Sequence, residues 1–458
     1  MSRSGGRVPR VARSVLVAVV LVCSGAGAAQ AAPPDPPGYP TINGNWWYEQ
    51  QGVPQAQAQG ITGKGVPVAV IERGISPNLA VLSDAHLTIH EPSFCRVGYY
   101  SDGKYVTTVP ATYDGDTEAT WGGSNAVAFI AGNGRDAYGG VSVPGVAPGA
   151  DIRFYATGIP SDTVGECSLA DHSAYGSATA RAIVQAVDDG ARIISLTFTD
   201  FAPTHQFSQA MAYALHKKVV LVVPSEGKNY SWIQRLNGVV TVRAGSQDGW
   251  GLGSSSPVTV GAPGVGLIVL GEMDWTTDNN WDSSEFPVPL VAGMLADVAQ
   301  RWPGATNDQL IQTLIRNTAP KLPQDDGGNG YGVVDLPQML QVDPTQYPDQ
   351  NPLIVPDDHQ KYGLTVADIR TAERPAWADP MRTATPAVAP PGRHRFAGGW
   401  AWRAGLGGAV VVLAVVVGFF GFRVRRSWHG AHRGAPDDDP VTNDDPTRQD
   451  DLTTTKEK

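Results

Sequence analysis

The chain has 458 residues and a formal net charge of −10, and only 17% of its residues are charged. This length is sufficient for one large domain or two medium ones with a substantial core. The negative net charge argues against nucleic acid as a partner. The small charged fraction, together with 53 glycines and 36 prolines, favours a secreted or surface-exposed α/β protein over a charged cytosolic one.

Residues 1–31 have the pattern of a secretory signal peptide. Four arginines precede residue 14, a short apolar run covers Val15 to Val22, and Ala29 to Ala31 forms a small-x-small cleavage site. We therefore expect the mature chain to begin at Ala32. The alternative is an uncleaved membrane anchor, which the shortness of the apolar run disfavours.

Two cysteines, Cys95 and Cys167, remain after removal of the signal. An even number of cysteines in an exported chain predicts one disulfide between them. Two buried free thiols are the alternative, because spacing alone does not establish the pairing.

Residues 32–60 form a Pro- and Gln-rich N-terminal extension, and residues 61–342 alternate apolar strand-like runs with helical patterns. Continuous apolar strands indicate a parallel sheet with helices on both faces, which is an α/β fold. The predicted strands cover Val66 to Ile71, Arg192 to Phe198, Val219 to Val223, Val239 to Val242 and Val258 to Val260. The predicted helices include Ala178 to Asp189 and Val288 to Trp302.

The C-terminal part of the sequence predicts a membrane anchor. Residues 343–402 read as a Pro-rich linker, and residues 403–423 form an apolar run that is long enough for a single transmembrane helix. Residues 424–458 form an acidic tail behind a cluster of arginines. Basic residues after the span predict a cytosolic tail and an extracytoplasmic main domain. A buried soluble helix is the alternative reading of the run.

Three segments resemble the catalytic motifs of subtilisin-like serine proteases, in the same order. They are Val68 to Gly74, Gly122 to Gly132 and Glu285 to Gly293. The turn of Gly145 to Ala150 and the helix-strand unit of Ala182 to Ile194 also resemble that family. The resemblance covers about residues 61–336 and implies the subtilisin-like fold.

The same alignment places no catalytic residue in the family's triad positions. Glu285 stands in the nucleophile position, Gly122 in the position of the basic histidine, and Glu72 in that of the orienting aspartate. The oxyanion position falls on Gly227, which has no side-chain amide. Since hydrolysis by this family needs a hydroxyl, an imidazole and a carboxylate, we expect no catalytic activity, no cofactor and no metal site.

Two other readings of these positions remain open. Ser283 or Ser284 could serve with a relocated histidine, for which His86, His90 and His172 are the candidates. Glu72 and Glu285 could instead lie close together as a carboxylate pair or a metal site. Two solvated acids in a vestigial cleft are the simpler interpretation of the glutamates.

The overall layout resembles the mycosins, the membrane-anchored subtilisin-like proteins of type VII secretion systems. Trp46 to Ala56 resembles their W-W-x-x-x-L-G-V/I-P-x-A segment before the first strand. This resemblance implies a membrane-anchored pseudoprotease that is a structural or peptide-binding component of a type VII-like secretion system. Expected partners are the membrane, other secretion components or an extended peptide. The alternatives are an active subtilisin-like endopeptidase with a relocated triad and a stand-alone cell-surface binding protein.

Overall fold

The computed structural model describes the chain from Asn43 to Ala378, with gaps. The described residues are 43–97, 107–114, 118–136, 140–158, 177–197, 204–225, 233–247, 257–271, 275, 277–319, 330–356 and 364–378. The chain divides into two compact units, residues 1–383 and 384–458, and every described residue lies in the first. The predicted signal peptide, the predicted span and the acidic tail therefore lie outside the described residues.

A nine-stranded sheet forms the centre of the first unit, with the strand order β14-β15-β11-β10-β9-β8-β1-β7-β2. Neighbouring strands are parallel except β14 and β15 at one edge. Its strands are β1 (Pro67–Glu72), β2 (Leu87–His90), β7 (Asp151–Ala156), β8 (Ile193–Leu196), β9 (Val220–Pro224), β10 (Val240–Gly245), β11 (Val260–Pro263), β14 (Thr318–Ala319) and β15 (Val333–Val334). Three two-stranded ribbons pair β3 (Arg96–Val97) with β4 (Thr107–Thr108), β5 (Asn133–Arg135) with β6 (Val141–Pro144), and β12 (Leu267–Leu270) with β13 (Thr277–Trp281).

Helices cover both faces of the sheet, so its strands are buried on two sides. One face carries α1 (Trp46–Gln50), α2 (Val53–Ala58), α3 (Glu118–Ala131), α6 (Pro287–Arg301), α7 (Asn307–Arg316) and α8 (Leu336–Gln341). The other face carries α4 (Ala178–Asp188), α5 (His205–His216) and α9 (Val366–Arg370). Side chains of β1 alternate between the two cores: Val68 and Val70 lie in the first, and Ala69 and Ile71 lie in the second.

The predicted α/β architecture with a mainly parallel sheet is confirmed, and the named strands and helices occur within a few residues of their predicted ends. Local sequence explains where several helices begin. The side chains of Ser177, Thr204 and Thr306 accept hydrogen bonds from backbone N–H groups in the first turns of α4, α5 and α7. The N-terminus of α7 adds a capping box between Thr306 and Gln309.

The described part of the N-terminal extension belongs to the core of the domain. Trp47 is fully buried and packs against Phe129 of α3, with 6.1 Å between the ring centroids. Asn45 Nδ2 donates to the carbonyl of Ser142 at 3.0 Å, and Gln57 Nε2 donates to that of Gly145 at 2.9 Å. Residues 43–58 are therefore held by both apolar burial and side-chain hydrogen bonds.

The first half of the segment expected to be a linker from residue 343 also packs onto the domain. Ile369 is buried in the second core, and Arg374 Nε donates to Asp188 at 2.6 Å. Lys218 Nζ lies 3.0 Å from Asp349, and the Trp377 indole donates to Gln209 at 2.8 Å. The domain thus includes described residues up to Ala378 rather than ending at residue 342. The prolines in residues 343–378 interrupt any regular period of apolar residues, so the sequence pattern does not predict packed elements there.

Two further expectations concern the membrane and the disulfide. Among the described residues, no helix has the length and apolar character needed to cross a bilayer, and the predicted span at 403–423 falls outside them. Cys95 is buried and disulfide-bonded. Cys167 is not among the described residues, so the pairing of the two cysteines stays a prediction.

Candidate functional site

The three motif positions meet at the carboxyl edge of the sheet. Glu72 is the last residue of β1, which lies between β7 and β8. The chain order reverses at β1, since the strands that follow it in sequence lie on both of its sides. Such a switch point leaves a crevice beyond the strand ends, which is where open α/β sheets bind their ligands.

Glu72 is buried in this crevice, with an exposure of 3%. One carboxyl oxygen accepts from the Thr197 hydroxyl at 2.8 Å, and the other accepts from the backbone N–H of Arg73 at 2.7 Å. Burial raises the pKa of Glu72, and these two hydrogen bonds and the charge of Arg73 offset that effect in part. The side chain is therefore fixed in place and favours its neutral form more than a solvated glutamate does.

Gly122 lies directly against this carboxyl group. A Cβ atom added at Gly122 would be 3.2 Å from Glu72 Oε1 and 3.3 Å from both Cδ and Oε2. That separation is shorter than an ordinary van der Waals contact. The Glu72 carboxyl group thus lies where a side chain at position 122 would begin. The residue types at positions 72 and 122 are therefore sterically linked.

Gly123 is required for a different reason. A Cβ atom there would overlap the carbonyl oxygen of Gly74 and the ring of Phe154. Helix α3 approaches the loop after β1 so closely that position 123 excludes any side chain. The same close approach brings Gly122 onto the end of β1.

Glu285 precedes the first turn of α6, and its side chain is partly exposed. Its backbone N–H donates to Ser283 Oγ at 3.0 Å, and the N–H of Phe286 donates to the same oxygen at 3.3 Å. The Phe286 ring lies 5.3 Å from that of Trp121, the residue before Gly122. The start of α6 and the first half of α3 therefore border one crevice, as the motif order predicts.

The relocated-triad reading has little support in the described residues. His86 lies at the opposite, amino edge of the sheet, beside Asp151 at the start of β7. That edge is about 17 Å away along a six-residue strand. His90 stacks on Phe94 and contacts Tyr155, which belongs to the core on the other face of the sheet from Glu72. His172 lies outside the described residues, and the Ser283 hydroxyl oxygen accepts from the backbone N–H groups of Glu285 and Phe286.

The structure describes only some of the residues in the remaining site predictions. Gly227 is outside the described residues, so the oxyanion position stays a prediction. The pKa of Glu72 is raised by burial and not by a second carboxylate, so the proposed pairing with Glu285 gains nothing from it. No group of three or more potential metal ligands occurs in the described part of the chain.

Sequence reasoning missed the role of Thr197, which follows β8 and donates to Glu72 across the strand junction. Its position after an apolar run places it at the crevice, but the register between β1 and β8 decides that it contacts Glu72.

Two grooves of about 530 and 630 Å³ occur elsewhere, one between α5 and residues 364–375 and one between α1, α2 and α8. Neither is lined by Glu72, Gly122 or Glu285.

Comparison with known proteins agrees with this fold. The model of the subtilase family matches residues 63–333, which is more than half of the chain. Fervidolysin from Fervidobacterium pennivorans is 27% identical over 327 residues, which are 65% of this chain and 43% of that protein. Subtilisin BL from Lederbergia lenta is 27% identical over 289 residues, or 60% of this chain and 91% of its own. The chain thus spans less than half of the length of fervidolysin.

A solved structure shows the same fold. The crystal structure of fervidolysin superposes with a TM-score of 0.50 and 22% identity, covering 67% of this chain and 46% of that one. The structure of MycP3, a protease from the type VII (ESX-3) secretion system, has a TM-score of 0.46 and 20% identity. It covers 64% of this chain and 87% of that one.

Proposed function

The chain belongs to the subtilase family, and on that premise we propose that it keeps the fold of a serine peptidase without the hydrolytic reaction. One observation carries the proposal: the Glu72 carboxyl group lies against Gly122, where the family's basic histidine would start. A serine nucleophile needs an imidazole to accept its proton, and the loss of one triad member costs several orders of magnitude in rate.

The proposed role is that of a structural or peptide-binding component of a membrane-anchored assembly, in a type VII-like secretion system. The sequence layout supports it, since a signal, an extension, the subtilase domain and a C-terminal apolar run follow one another as in mycosins. A scaffold of this kind needs the fold and the anchor, and it does not need the triad. The domain would act outside the membrane, with residues 424–458 in the cytosol.

Labelling with a fluorophosphonate probe tests the absence of hydrolysis. The full chain and its Glu285→Ser variant are incubated with the probe beside an active subtilisin as positive control. We expect no label on either form, because the variant restores a hydroxyl but no base. Labelling of the unmodified chain, abolished by replacement of a single serine, would refute the proposal and favour the endopeptidase alternative.

Affinity capture through the C-terminal tail tests the assembly. Membranes that contain the tagged full chain are solubilised and captured, and we expect a secretion ATPase or other membrane components of a secretion system to be retained. Recovery of the chain alone would contradict this part of the proposal and favour a stand-alone surface protein. Capture of the Glu285→Ser variant should give the same set of proteins, since the role does not depend on that residue.

A further inference from the structure

A second buried acid lies far from the crevice. Asp297, in the third turn of α6, has no exposed surface. Neither carboxyl oxygen has a hydrogen-bond partner with normal geometry, although the backbone N–H of Gly63 lies near the carboxyl group. Burial raises the pKa of Asp297 well above its usual value, and the Gly63 N–H offsets only part of this effect. An unpaired charge in such surroundings is expensive, so burial favours the neutral form of this acid.

The turn of residues 60–64 lies on α6 at the same place. Gln300, one helical turn after Asp297, accepts hydrogen bonds from the N–H groups of Thr62 and Lys64 at 2.7 and 3.1 Å. Its Nε2 donates to the carbonyl of Gly60 at 2.8 Å. A Cβ atom at Gly63 would be 3.3 Å from Cβ of Ala296, so the backbone of the turn contacts the helix directly. This turn joins α2 of the extension to β1.

Among the residues that the structure describes, no counter-charge compensates Asp297. Burial and the Gly63 N–H are the causes of its pKa shift, and no charged side chain contributes. Arg301, on the same helix, stacks on Trp302, and Arg192 donates to Asn307 and to the carbonyl of Ala305. The charged residues on the surrounding described elements are Lys64 in the turn, Glu72 on β1, Glu118 on α3, Arg192 before β8, Arg243 on β10, Arg301 on α6, and Asp308 and Arg316 on α7.

We infer that Asp297 is a proton-dependent latch, which holds the turn of residues 60–64 on α6 while its carboxyl group is protonated and releases that turn when it ionises. An ionised Asp297 requires water, and the turn is the direct route to it because Gly60 and Lys64 are exposed. Entry of water displaces Gly63 and breaks the hydrogen bonds to Gln300. The link between α2 and β1 then loosens, while residues 43–58 keep their own contacts with the domain.

The direction of the pH dependence follows from the raised pKa. The stabilisation of the folded state by protonated Asp297 is complete below the pKa of an aspartate in the unfolded chain, roughly 3.9. It is lost as pH rises through the pKa of Asp297 in the folded protein. Between these two values the folded state binds one proton more than the unfolded state. The unfolding equilibrium constant therefore increases by up to about tenfold per pH unit from this group.

Amide hydrogen exchange of the full chain, followed by mass spectrometry across pH 5–9, tests the latch. We expect the protection factors of residues 60–66 to fall steadily as pH rises, while those of β8 stay constant. In Asp297→Asn, which has the same shape and does not ionise, the turn should lose this pH dependence. Asp343→Asn, which removes a partly exposed acid that has hydrogen-bond partners of its own, is the matched control and should behave as the unmodified chain.

Two outcomes would overturn the inference. One is constant protection of residues 60–66 in the unmodified chain, which needs no variant and so does not depend on whether Asp297→Asn folds. The other is the same pH dependence in Asp297→Asn as in the unmodified chain. Asp297→Leu, which suits apolar surroundings, provides a second variant that should also lack the dependence.

Discussion

Replacement of Gly122 by alanine tests whether Glu72 occupies the space next to it. In a helix interior, alanine is favoured over glycine by roughly 0.5–1 kcal/mol. Here the new Cβ atom would lie 3.2–3.3 Å from three atoms of a carboxyl group that two hydrogen bonds hold in place. Overpacking of this kind costs about 1–3 kcal/mol. We therefore expect Gly122→Ala to destabilise the domain by about 0.5–2 kcal/mol.

Shortening the glutamate should reverse the sign. In a Glu72→Asp background the carboxyl group withdraws by one methylene, so that Gly122→Ala should stabilise the domain by its helix propensity alone. Urea denaturation of the full chain in the four states of this cycle gives a coupling free energy, for which we expect about 1–3 kcal/mol. Additive effects, within about 0.5 kcal/mol, would refute the steric link between the two positions.

Gly123→Ala is the matched control in the same helix. Its Cβ atom would meet the Gly74 carbonyl and the Phe154 ring, neither of which belongs to Glu72. We expect it to destabilise the domain strongly in both backgrounds, since a backbone oxygen is not free to withdraw. A rescue of Gly123→Ala by Glu72→Asp would show that the aspartate loosens α3 as a whole.

Three other expectations concern separate parts of the domain. Peptide hydrolysis by Glu285→Ser should stay undetectable in a fluorogenic assay, and measurable turnover would mean that a base exists outside the motif. The hydroxyl of Thr306 and the amine of Lys218 lower the pKa of Asp349, so Asp349 stabilises the domain above its unfolded-state pKa and this contribution is lost as pH falls. In urea denaturation, Asp349→Asn should lower the free energy of unfolding by at most about 1 kcal/mol at pH 7 and should leave it unchanged in acid. An equal loss at both pH values would contradict this role of Asp349. Ile369→Ala should lower the free energy of unfolding by about 2 kcal/mol and make residues 343–378 more susceptible to limited proteolysis. Unchanged cleavage would show that the Ile369 side chain is not needed to hold this segment on the domain.

Much of the fold follows from local sequence patterns. Continuous apolar runs such as Val219 to Val223 predict strands covered on both faces, because alternation disappears when both sides are buried. The helix of α6 follows from apolar residues at helical spacing, and the order of the motifs predicts that Glu72, Gly122 and Glu285 border one crevice. These features depend on periodicity and chain order, which a sequence displays directly.

The sequence by itself therefore determined the architecture, and it predicts that the motif positions hold no catalytic side chains. Tertiary structure decided which atoms meet: that Glu72 lies against Gly122, that Thr197 donates to it, and that Asp297 is buried beside the turn of residues 60–64. It also decided that residues up to Ala378 belong to the domain, although their composition is typical of a linker. The physical reason is that side-chain contacts arise between residues far apart in the chain, where strand register and helix approach set distances that no local pattern encodes.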